Sequence, residues 1–413
     1  MTMPSTQHTP TPQLPTSESR LLASPNRLKL ICFGFNGNGG QTITSAEGVP
    51  DGSWAQNLRI ARAADAANFE AILPGARWAG FGGETNYQAR SLETFAWAAA
   101  VSAVTSRAQV FATFHVPTAH PVRVAKTIAT IDEISGGRFG LNIVAGWSAS
   151  EIGMFGIPQR EHDTRYEYAD AFFEALDALF STEGYFDHES DYFPMPRAFS
   201  EPKPVQAPRP VYMSAAVSPR GREFAARWSD LSFQTIRDFE AGRAQVSETK
   251  QRARDAYGRN LQVAAGVIIV CAETEKEAQA YFRYYTDEKG DPVAAENLLR
   301  SLFPEVRDPQ GHVRQMPPQM MANFTKGMIA GHGAVPLIGT PEQVVEKLAA
   351  IADCGIDACT LGWVNFETGI AQYVEQIHPL MVSAGLRKDE APPAAVDLGS
   401  YPSPRRTPAD VPA

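Results

Sequence analysis

Polar and charged side chains lie at the ends of several apolar, strand-like segments of this sequence. Thr113 and His115 close one such segment and Asn142 lies in the next, while Arg77 and Glu151 follow other segments closely. A hydroxyl, an imidazole, an amide, a guanidinium and a carboxylate are groups that can bind a polar ligand through hydrogen bonds. The histidines lack the H-E-x-x-H spacing of a zinc site, so we predict no metal centre.

A turn of small residues at 214–220 also follows a strand-like segment, and it opens a helix. Such a turn presents main-chain N–H groups at a helix N-terminus, which is a common way to bind phosphate. Simpler roles stay open for the other features. Asn142 could bond a neighbouring strand, and Gly82-Gly83 could be an ordinary turn. Cys354 and Cys359 lie on either side of a helix-to-strand turn, where packing is the simpler role.

The elements that must position these residues alternate between strand and helix patterns. Strands are predicted at 27–35, 70–73, 109–115, 140–145, 211–214, 231–234, 264–271 and 358–363, and helices at 54–69, 92–104, 122–134, 166–180, 341–354 and 369–382. About eight strand–helix units predict a (β/α)8 barrel with insertions. An open doubly wound sheet is the alternative, but no G-x-G-x-x-G turn follows the first strand. In a barrel, functional residues lie at the C-terminal ends of the strands, as the candidates do.

Two stretches interrupt this alternation, and both chain ends are rich in proline. Residues 183–210 predict a short hairpin followed by a proline-rich crossing, and residues 287–335 predict an irregular, loop-like lid. Residues 1–26 and 387–413 contain too few apolar residues to offset the entropy of ordering them. We therefore predict two disordered tails around a single barrel at 27–386.

The composition narrows the class of function. Hydrophobic residues make up 44% and charged residues 20%, which is typical of a globular protein with a core. Lys+Arg 37 against Asp+Glu 46 gives a net charge of −9, which argues against nucleic-acid binding. No apolar run reaches the ~18 residues that span a bilayer, the N-terminus lacks a signal pattern, and four cysteines form no disulfide framework. We expect a cytoplasmic enzyme without nucleic-acid or membrane partners.

One long motif then points to a family. The run SGGRFGLNIVAGW at 135–147 resembles the bacterial luciferase-like flavin monooxygenases, in the branch of the pyrimidine and dimethyl sulfone monooxygenases. GFGGET at 80–85, HDTRY at 162–166 and LIGTP at 337–341 add to the similarity, which covers about residues 27–386. The resemblance implies a (β/α)8 barrel that uses reduced FMN and O2. It also implies a partner flavin reductase, which draws its electrons from NAD(P)H.

The resemblance also assigns residues to the site. The positions matched for FMN are Ala76, Arg77, Asn142, Glu151, Arg165, Tyr166 and Ser218. Thr113 and Asn142 match positions that line the oxygen pocket, where a hydroxyl and an amide could hold O2 and stabilise the charge that develops on its reduction. Arg165 or Ser218 would bind the phosphate, because guanidinium and N–H donors suit phosphate oxygens.

The substrate stays open at this point. Residues 84–88 and 114–120, which should lie beside it, depart from the relatives in that branch. A heterocycle, a sulfone or a haloaromatic would fit, and the small molecule would be oxygenated or oxidatively cleaved. The resemblance further implies a homo-oligomer, either a dimer or a tetramer. The same scaffold leaves two alternative functions, a deazaflavin (F420)-dependent oxidoreductase and a non-catalytic flavin-binding barrel.

Overall fold

The computed structural model describes residues 19–215, 218–236, 239–302 and 317–388. In these ranges the strands are β1 (Lys29–Phe33), β2 (Ala71–Leu73), β3 (Gln109–His115), β4 (Phe139–Val144), β5 (Phe186–His188), β6 (Met195–Ala198), β7 (Val211–Ser214), β8 (Leu231–Gln234), β9 (Gln262–Cys271), β10 (Val335–Gly339) and β11 (Ala358–Gly362). The helices are α1 (Arg20–Ala23), α2 (Trp54–Ala66), α3 (Thr94–Val104), α4 (Pro121–Ser135), α5 (Ala149–Gly153), α6 (His162–Ser181), α7 (Pro219–Trp228), α8 (Phe239–Tyr257), α9 (Glu275–Arg283), α10 (Pro292–Leu302), α11 (Pro318–Gly331), α12 (Pro341–Asp353), α13 (Phe366–Gln372) and α14 (His378–Ser383).

Eight parallel strands close into a barrel. Their order is β1-β2-β3-β4-β7-β8-β9-β11, and β11 pairs with β1 to complete the ring. Strand β9 is long enough to pair with β8 along its first half and with the additional strand β10 along its second half. The predicted (β/α)8 barrel is confirmed, and the open doubly wound alternative is wrong because the sheet has no break between β11 and β1.

The interior of the barrel is filled by alternate residues of its strands. Phe111 and Met213 belong to a buried apolar cluster contributed by most of the barrel strands. Thr113 lies two residues after Phe111 and pairs in register with Asn142, which in turn pairs with Met213. Because side chains alternate with a period of two, Thr113 stays on the inward face of its strand, nearer the C-terminal end of the barrel.

The SGGR part of the family-like motif has a structural role. Arg138 precedes β4, and its guanidinium donates hydrogen bonds to the main-chain carbonyls of Ser102, Thr105 and Ala108 at 2.9–3.0 Å. These acceptors lie at the end of α3 and in the connection to β3. The arginine therefore joins consecutive strand–helix units and sets the position of β4, which carries Asn142.

The N-terminal boundary of the folded chain lies earlier than predicted. Ser19 caps α1 and its hydroxyl donates to Gln109 Oε1 at 2.6 Å. Leu21 is fully buried in the apolar cluster inside the barrel. The prediction of disorder is therefore wrong for residues 19–26, because burial of one leucine and a long-range hydrogen bond hold this segment. Residues 1–18 of the predicted tail lie outside the described residues.

The C-terminal boundary is also later than predicted. Arg387 is buried and donates from Nη1 to both carboxylate oxygens of Glu70, at 3.1 and 3.0 Å. The main-chain N–H of Lys388 donates to Asn26 Oδ1 at 2.7 Å. The predicted disorder is therefore wrong at residues 387 and 388, which close the N-terminal end of the barrel. Residues 389–413 lie outside the described residues.

The two insertions differ in structure. Between 183 and 210, β5 and β6 form an antiparallel hairpin. Between 287 and 335, the described residues form α10 and α11, whose apolar faces share a small core with Ile43, Phe81 and Tyr87. The irregular, loop-like prediction is wrong for these two helices, because packing against the loops that follow β1 and β2 stabilises them. Residues 303–316 lie outside the described residues.

Helices α10 and α11 cover the end of the barrel that the candidate residues occupy, because Ile43, Phe81 and Tyr87 all follow C-terminal ends of strands. Across the four described ranges, we find no helix with the length and apolar content needed to span a membrane.

Candidate active site

A hydrogen bond joins the side chains of Thr113 on β3 and Asn142 on β4, toward the C-terminal ends of the two strands. Asn142 Nδ2 donates to Thr113 Oγ1 at 3.1 Å, and Thr113 Oγ1 donates to the carbonyl of Pro74 at 2.5 Å. Both side chains are buried. The threonine proton is therefore committed to Pro74, whereas Asn142 Oδ1 has no hydrogen-bond partner among the described residues. A buried acceptor left in this state costs free energy unless a ligand donates to it.

Arg77 follows β2 and lies between two aromatic rings. Its guanidinium carbon is 5.5 Å from the centre of the Phe81 ring and 5.1 Å from that of Trp147. Trp147 reaches this position because Gly146 turns the chain with a φ of +88°, a conformation that favours glycine. Burial lowers the pKa of Arg77, and the carboxylate of Glu151 opposes this shift. A cation is thus enclosed between apolar walls.

Glu151 connects the loop after β4 to the loop after β2. Ser148 caps the short helix α5 by accepting from the main-chain N–H of Glu151. Glu151 Oε1 accepts from the main-chain N–H groups of Trp78 and Ala79 at 2.9 and 3.2 Å. Its other oxygen, Oε2, is buried with no partner in the described ranges. Glu151 therefore orders the residues that follow Arg77 and keeps one acceptor for a ligand.

A cavity of about 400 Å³ lies beside this carboxylate. It is lined by the loop at 79–82, by Ser148 and Glu151, and by Asn297 of α10. Asn297 Nδ2 donates to the carbonyl of Phe81 at 2.8 Å, so the insertion forms one wall of the cavity and holds the loop in place. The space is of the size that a small-molecule site requires.

Ser218 and Tyr166 lie together where α6 meets α7. Ser218 caps α7 by accepting from the main-chain N–H of Gly221 at 3.1 Å, and His162 Nε2 lies 3.1 Å from the same hydroxyl. The Tyr166 ring packs against Phe224 with a centroid distance of 5.7 Å. The start of α7 therefore has the capped N-terminus that the sequence predicts for a phosphate site, although residues 216–217 lie outside the described residues.

Arg165 has a different neighbour from the one the phosphate hypothesis suggests. Its Nη1 donates to the carbonyl of Gly146 at 3.0 Å, so the side chain joins α6 to the loop after β4. Its Nε is buried without a partner among the residues described. Ala76 is buried nearby in sequence, and its carbonyl accepts from Arg77 Nη1 at 2.8 Å. Contact of Arg165 and Ala76 with the cofactor remains a prediction.

The chain also matches a family model over most of its length. Residues 28–358 match the model described as luciferase-like monooxygenase. The chain belongs to the luciferase-like monooxygenase family. It is therefore an oxidoreductase, and the predicted resemblance is confirmed. Among the described residues, no group of His, Cys, Asp or Glu has the geometry of a metal site.

Two relatives and one solved structure of the same fold show how far the similarity extends. The chain is 31% identical over 359 residues to pyrimidine monooxygenase RutA of Enterobacter cloacae, covering 86% of this chain and 96% of that protein. It is 26% identical over 350 residues to an FMNH2-dependent dimethylsulfone monooxygenase of Pseudomonas putida, covering 84% and 93%. The crystal structure of a riboflavin lyase, with modified FMN and its substrate riboflavin, superposes with a TM-score of 0.78 at 21% identity, covering 88% and 94%.

Gln41 is a buried polar residue beside the C-terminal ends of β1 and β11 that the sequence prediction did not single out. It is buried, and its Oε1 has no partner among the described residues. The side chain crosses the ends of β1 and β11, where a Cβ at Gly362 would lie only 1.8 Å from Oε1. The available signal was its position after the glycine-rich run NGNGG that follows β1.

His115 lies on the same strand face as Thr113, two residues farther toward the barrel end. It is 4% exposed, and its Nδ1 has no hydrogen-bond partner in the described part of the chain. Burial, reinforced by the positive charge of Arg77, lowers the pKa of His115 from 6.5 to about 3. The site therefore contains a neutral imidazole at physiological pH.

This pKa makes the stability of the protein sensitive to acid. Between pH 6.5 and about 3 the unfolded chain binds a proton at His115 and the folded protein does not, so stability falls as the pH is lowered. The slope reaches about 1.4 kcal/mol per pH unit for one such group. We expect His115→Gln to flatten the pH dependence of the unfolding free energy, measured by denaturant titration at pH 7 and pH 5.

His120→Asn is the matched control, because His120 is exposed and asparagine can replace it as the cap of α4. This variant should keep the acid sensitivity of the wild type. An identical slope for His115→Gln and the wild type would contradict a neutral, buried His115.

Proposed function

We propose that the protein is a two-component, FMN-dependent monooxygenase. A separate flavin reductase, using NAD(P)H, would supply reduced FMN, and the barrel would use it with O2 to oxygenate or oxidatively cleave a small organic substrate. The observation that carries this proposal is the buried Asn142 amide, whose Oδ1 has no partner among the described residues and whose Nδ2 is held by Thr113. The names of the relatives support it, because one of them is FMNH2-dependent.

The residues present suit this cofactor. A reduced flavin ring carries N–H donors, which match the unpartnered oxygens of Asn142 and Glu151. At the start of α7, Pro219 has no N–H and the N–H of Gly221 donates to Ser218 Oγ, which leaves the main-chain N–H of Arg220 as the first-turn donor for the phosphate, with Tyr166 beside it. We therefore assign Arg77, Asn142 and Glu151 to the ring. The phosphate end is assigned to the residues around Ser218 and to Arg165, whose buried Nε has no partner among the described residues.

When bound, reduced FMN supplies the electrons that activate O2. The role of the protein is to orient the reacting groups and exclude water. Thr113 fixes the amide of Asn142, and the second N–H of Asn142 Nδ2 would stabilise negative charge as oxygen is reduced. Arg77 adds a positive charge between the rings of Phe81 and Trp147, where low polarity strengthens its effect.

The test supplies the protein with FMN, NADH and a flavin reductase in isotopically labelled O2. Heterocycles, sulfones and haloarenes are offered as substrates, and products are identified by mass spectrometry. We expect a product that carries one labelled oxygen atom and forms only with FMN. Oxygen consumption indifferent to FMN, or hydride transfer from F420 without O2, would contradict the proposal.

Arg165→Ala should weaken the binding of reduced FMN more than it slows the chemical step. A charged donor to a phosphate contributes roughly 1.5–3 kcal/mol, or about ten- to a hundredfold in affinity. The measurement is an anaerobic flavin titration of the variant and the wild type. Arg160→Ala is the control, because the guanidinium carbon of Arg160 lies 3.8 Å from the centre of the Tyr168 ring and this residue is not assigned to the cofactor. Equal affinities for all three proteins would show that Arg165 only joins α6 to the loop after β4.

A further inference from the structure

We propose that Gln88 is a positioning residue that fixes the Arg77 guanidinium, and that α11 holds Gln88 through Tyr87 and His332. The proposal rests on the proposed function in one respect, namely that Arg77 faces the cofactor. The hydrogen bonds, the backbone conformation and the surroundings of Arg77 each support it.

Both the oxygen and the nitrogen of the Gln88 side-chain amide form hydrogen bonds. Its Oε1 accepts from Arg77 Nε at 2.8 Å. Its Nε2 donates to the carbonyl of Gly40 at 3.2 Å and to the hydroxyl of Tyr87 at 3.0 Å. Only the oxygen can accept from a guanidinium, and only the nitrogen can donate to a carbonyl. The chemistry of the neighbours therefore allows one orientation of the amide.

The backbone of Gln88 is strained. Its φ is +56°, in the left-handed region that non-glycine residues rarely occupy. The conformation is held by Asn38, whose carbonyl accepts from the main-chain N–H of Gln88 at 3.2 Å. Glycine would adopt this φ without strain, so the glutamine side chain must offset the strain by its contacts. Arg77, Gly40 and Tyr87 are those contacts.

The other contacts of Arg77 show what this positioning achieves. Its Nη1 donates to the carbonyl of the preceding residue, Ala76, and its guanidinium carbon lies 5.5 and 5.1 Å from the centres of the Phe81 and Trp147 rings. With Nε bound by Gln88, the guanidinium cannot rotate about its long axis. None of the described residues bonds Nη2, so this edge is presented to the site in a fixed direction.

The insertion that contains α10 and α11 contacts Gln88 through Tyr87. Tyr87 is fully buried in the small core formed with α10 and α11, and its hydroxyl donates to the carbonyl of Gly40 at 2.9 Å. The same hydroxyl lies 3.1 Å from Nδ1 of His332, the residue that ends α11. With the tyrosine proton on Gly40, the imidazole donates from Nδ1. The insertion after β9 is thereby connected to Arg77.

The test compares Gln88→Gly with Asn86→Gly. Asn86 lies in the same loop with a φ of +42°, and its hydrogen bonds here are made by its main chain. Both variants relieve the backbone, but only the first removes a side chain that bonds Arg77. We expect Gln88→Gly to weaken FMN binding about tenfold, as for loss of one hydrogen bond to a charged group. Asn86→Gly should bind as the wild type does.

A double-variant cycle separates positioning from a general loss of structure. In an Arg77→Ala background, Gln88→Gly should have no further effect on FMN affinity, because the group that it positions is absent. Additive losses would overturn the proposal. So would unchanged FMN affinity in Gln88→Gly.

A second measurement needs no cofactor. In protein labelled with ¹⁵N-arginine, the Nε–H resonance of Arg77, assigned by its loss in Arg77→Ala, should be protected from exchange in the wild type and in Asn86→Gly. It should lose that protection in Gln88→Gly, and retention there would overturn the proposal. If the wild type fails to bind FMN while this resonance still depends on Gln88, the proposed function fails and the positioning role stands.

Discussion

Replacing Asn142 with alanine should slow product formation by about 10²–10³-fold while the barrel stays folded. The amide is buried at the ends of β3 and β4, and its Oδ1 has no partner among the described residues. Asn142 Nδ2 donates one of its two hydrogens to Thr113, and its other N–H is suited to stabilise negative charge that develops on a bound ligand. Its loss removes that stabilisation without removing a bond on which the barrel depends.

Thr113→Val should also slow product formation. The threonine proton goes to the Pro74 carbonyl, and the hydroxyl oxygen accepts from Asn142, so Thr113 acts mainly by fixing the amide. Thr105→Val is the matched control, because Thr105 is a buried threonine at the end of α3, before β3, and its hydroxyl donates to the carbonyl of Val101 at 2.8 Å. It should leave the rate unchanged.

Melting temperature, FMN affinity and product yield are measured on the same samples, with dithionite-reduced FMN mixed into oxygenated buffer. The competing explanation is that Asn142 serves the barrel only. In that case Asn142→Ala would lose about 1–3 kcal/mol of stability, because Thr113 would lose its buried partner, and the rate per folded molecule would be normal. Full product from both site variants would rule out the oxygen pocket.

Arg387→Ala should destabilise the protein by about 3–5 kcal/mol, the cost of removing one partner of a buried ion pair. Arg387 and Glu70 each have a side chain only 2% exposed, and Arg387 Nη2 also donates to the carbonyl of Asn68 at 2.8 Å. Without the guanidinium, the buried Glu70 carboxylate loses its ion-pair partner and is left with hydrogen bonds from Ser24, Asn26 and the main chain of Leu30. The measurement is denaturant unfolding at neutral pH.

Arg27→Ala is the comparison, because Arg27 pairs with Asp353 at the surface, with side chains 49% and 57% exposed. Exposed pairs contribute about 0–1 kcal/mol, so this variant should be close to the wild type. Equal losses for the two variants would show that the buried pair does not close the barrel end.

Local sequence patterns were sufficient to predict the alternating strands and helices and their order. The strands predicted at 109–115, 211–214 and 231–234 have the bounds found in the structure. The helix predicted at 92–104 begins two residues later, because Glu93 caps it. Apolar spacing, prolines and caps act within a few residues, so these elements can be recognised without knowledge of the fold. The motif at 135–147 then indicated the family.

Contacts between segments far apart in the sequence determined the boundaries of the folded chain and the structure of the second insertion. Leu21 and Arg387 stand in proline-rich or polar surroundings, yet both are buried because the N-terminal end of the barrel closes over them. Helices α10 and α11 were missed because they depend on packing against loops more than 200 residues earlier in the chain.

The same holds inside the site. Residue type and position were enough to nominate Thr113, Asn142 and Arg77, but not to say that the threonine proton is already committed or that Gln88 holds the arginine. Sequence spacing determines which face of a strand a side chain occupies. Which donor meets which acceptor is decided only when loops from several strands come together, because a hydrogen bond depends on distances and angles that no local pattern encodes.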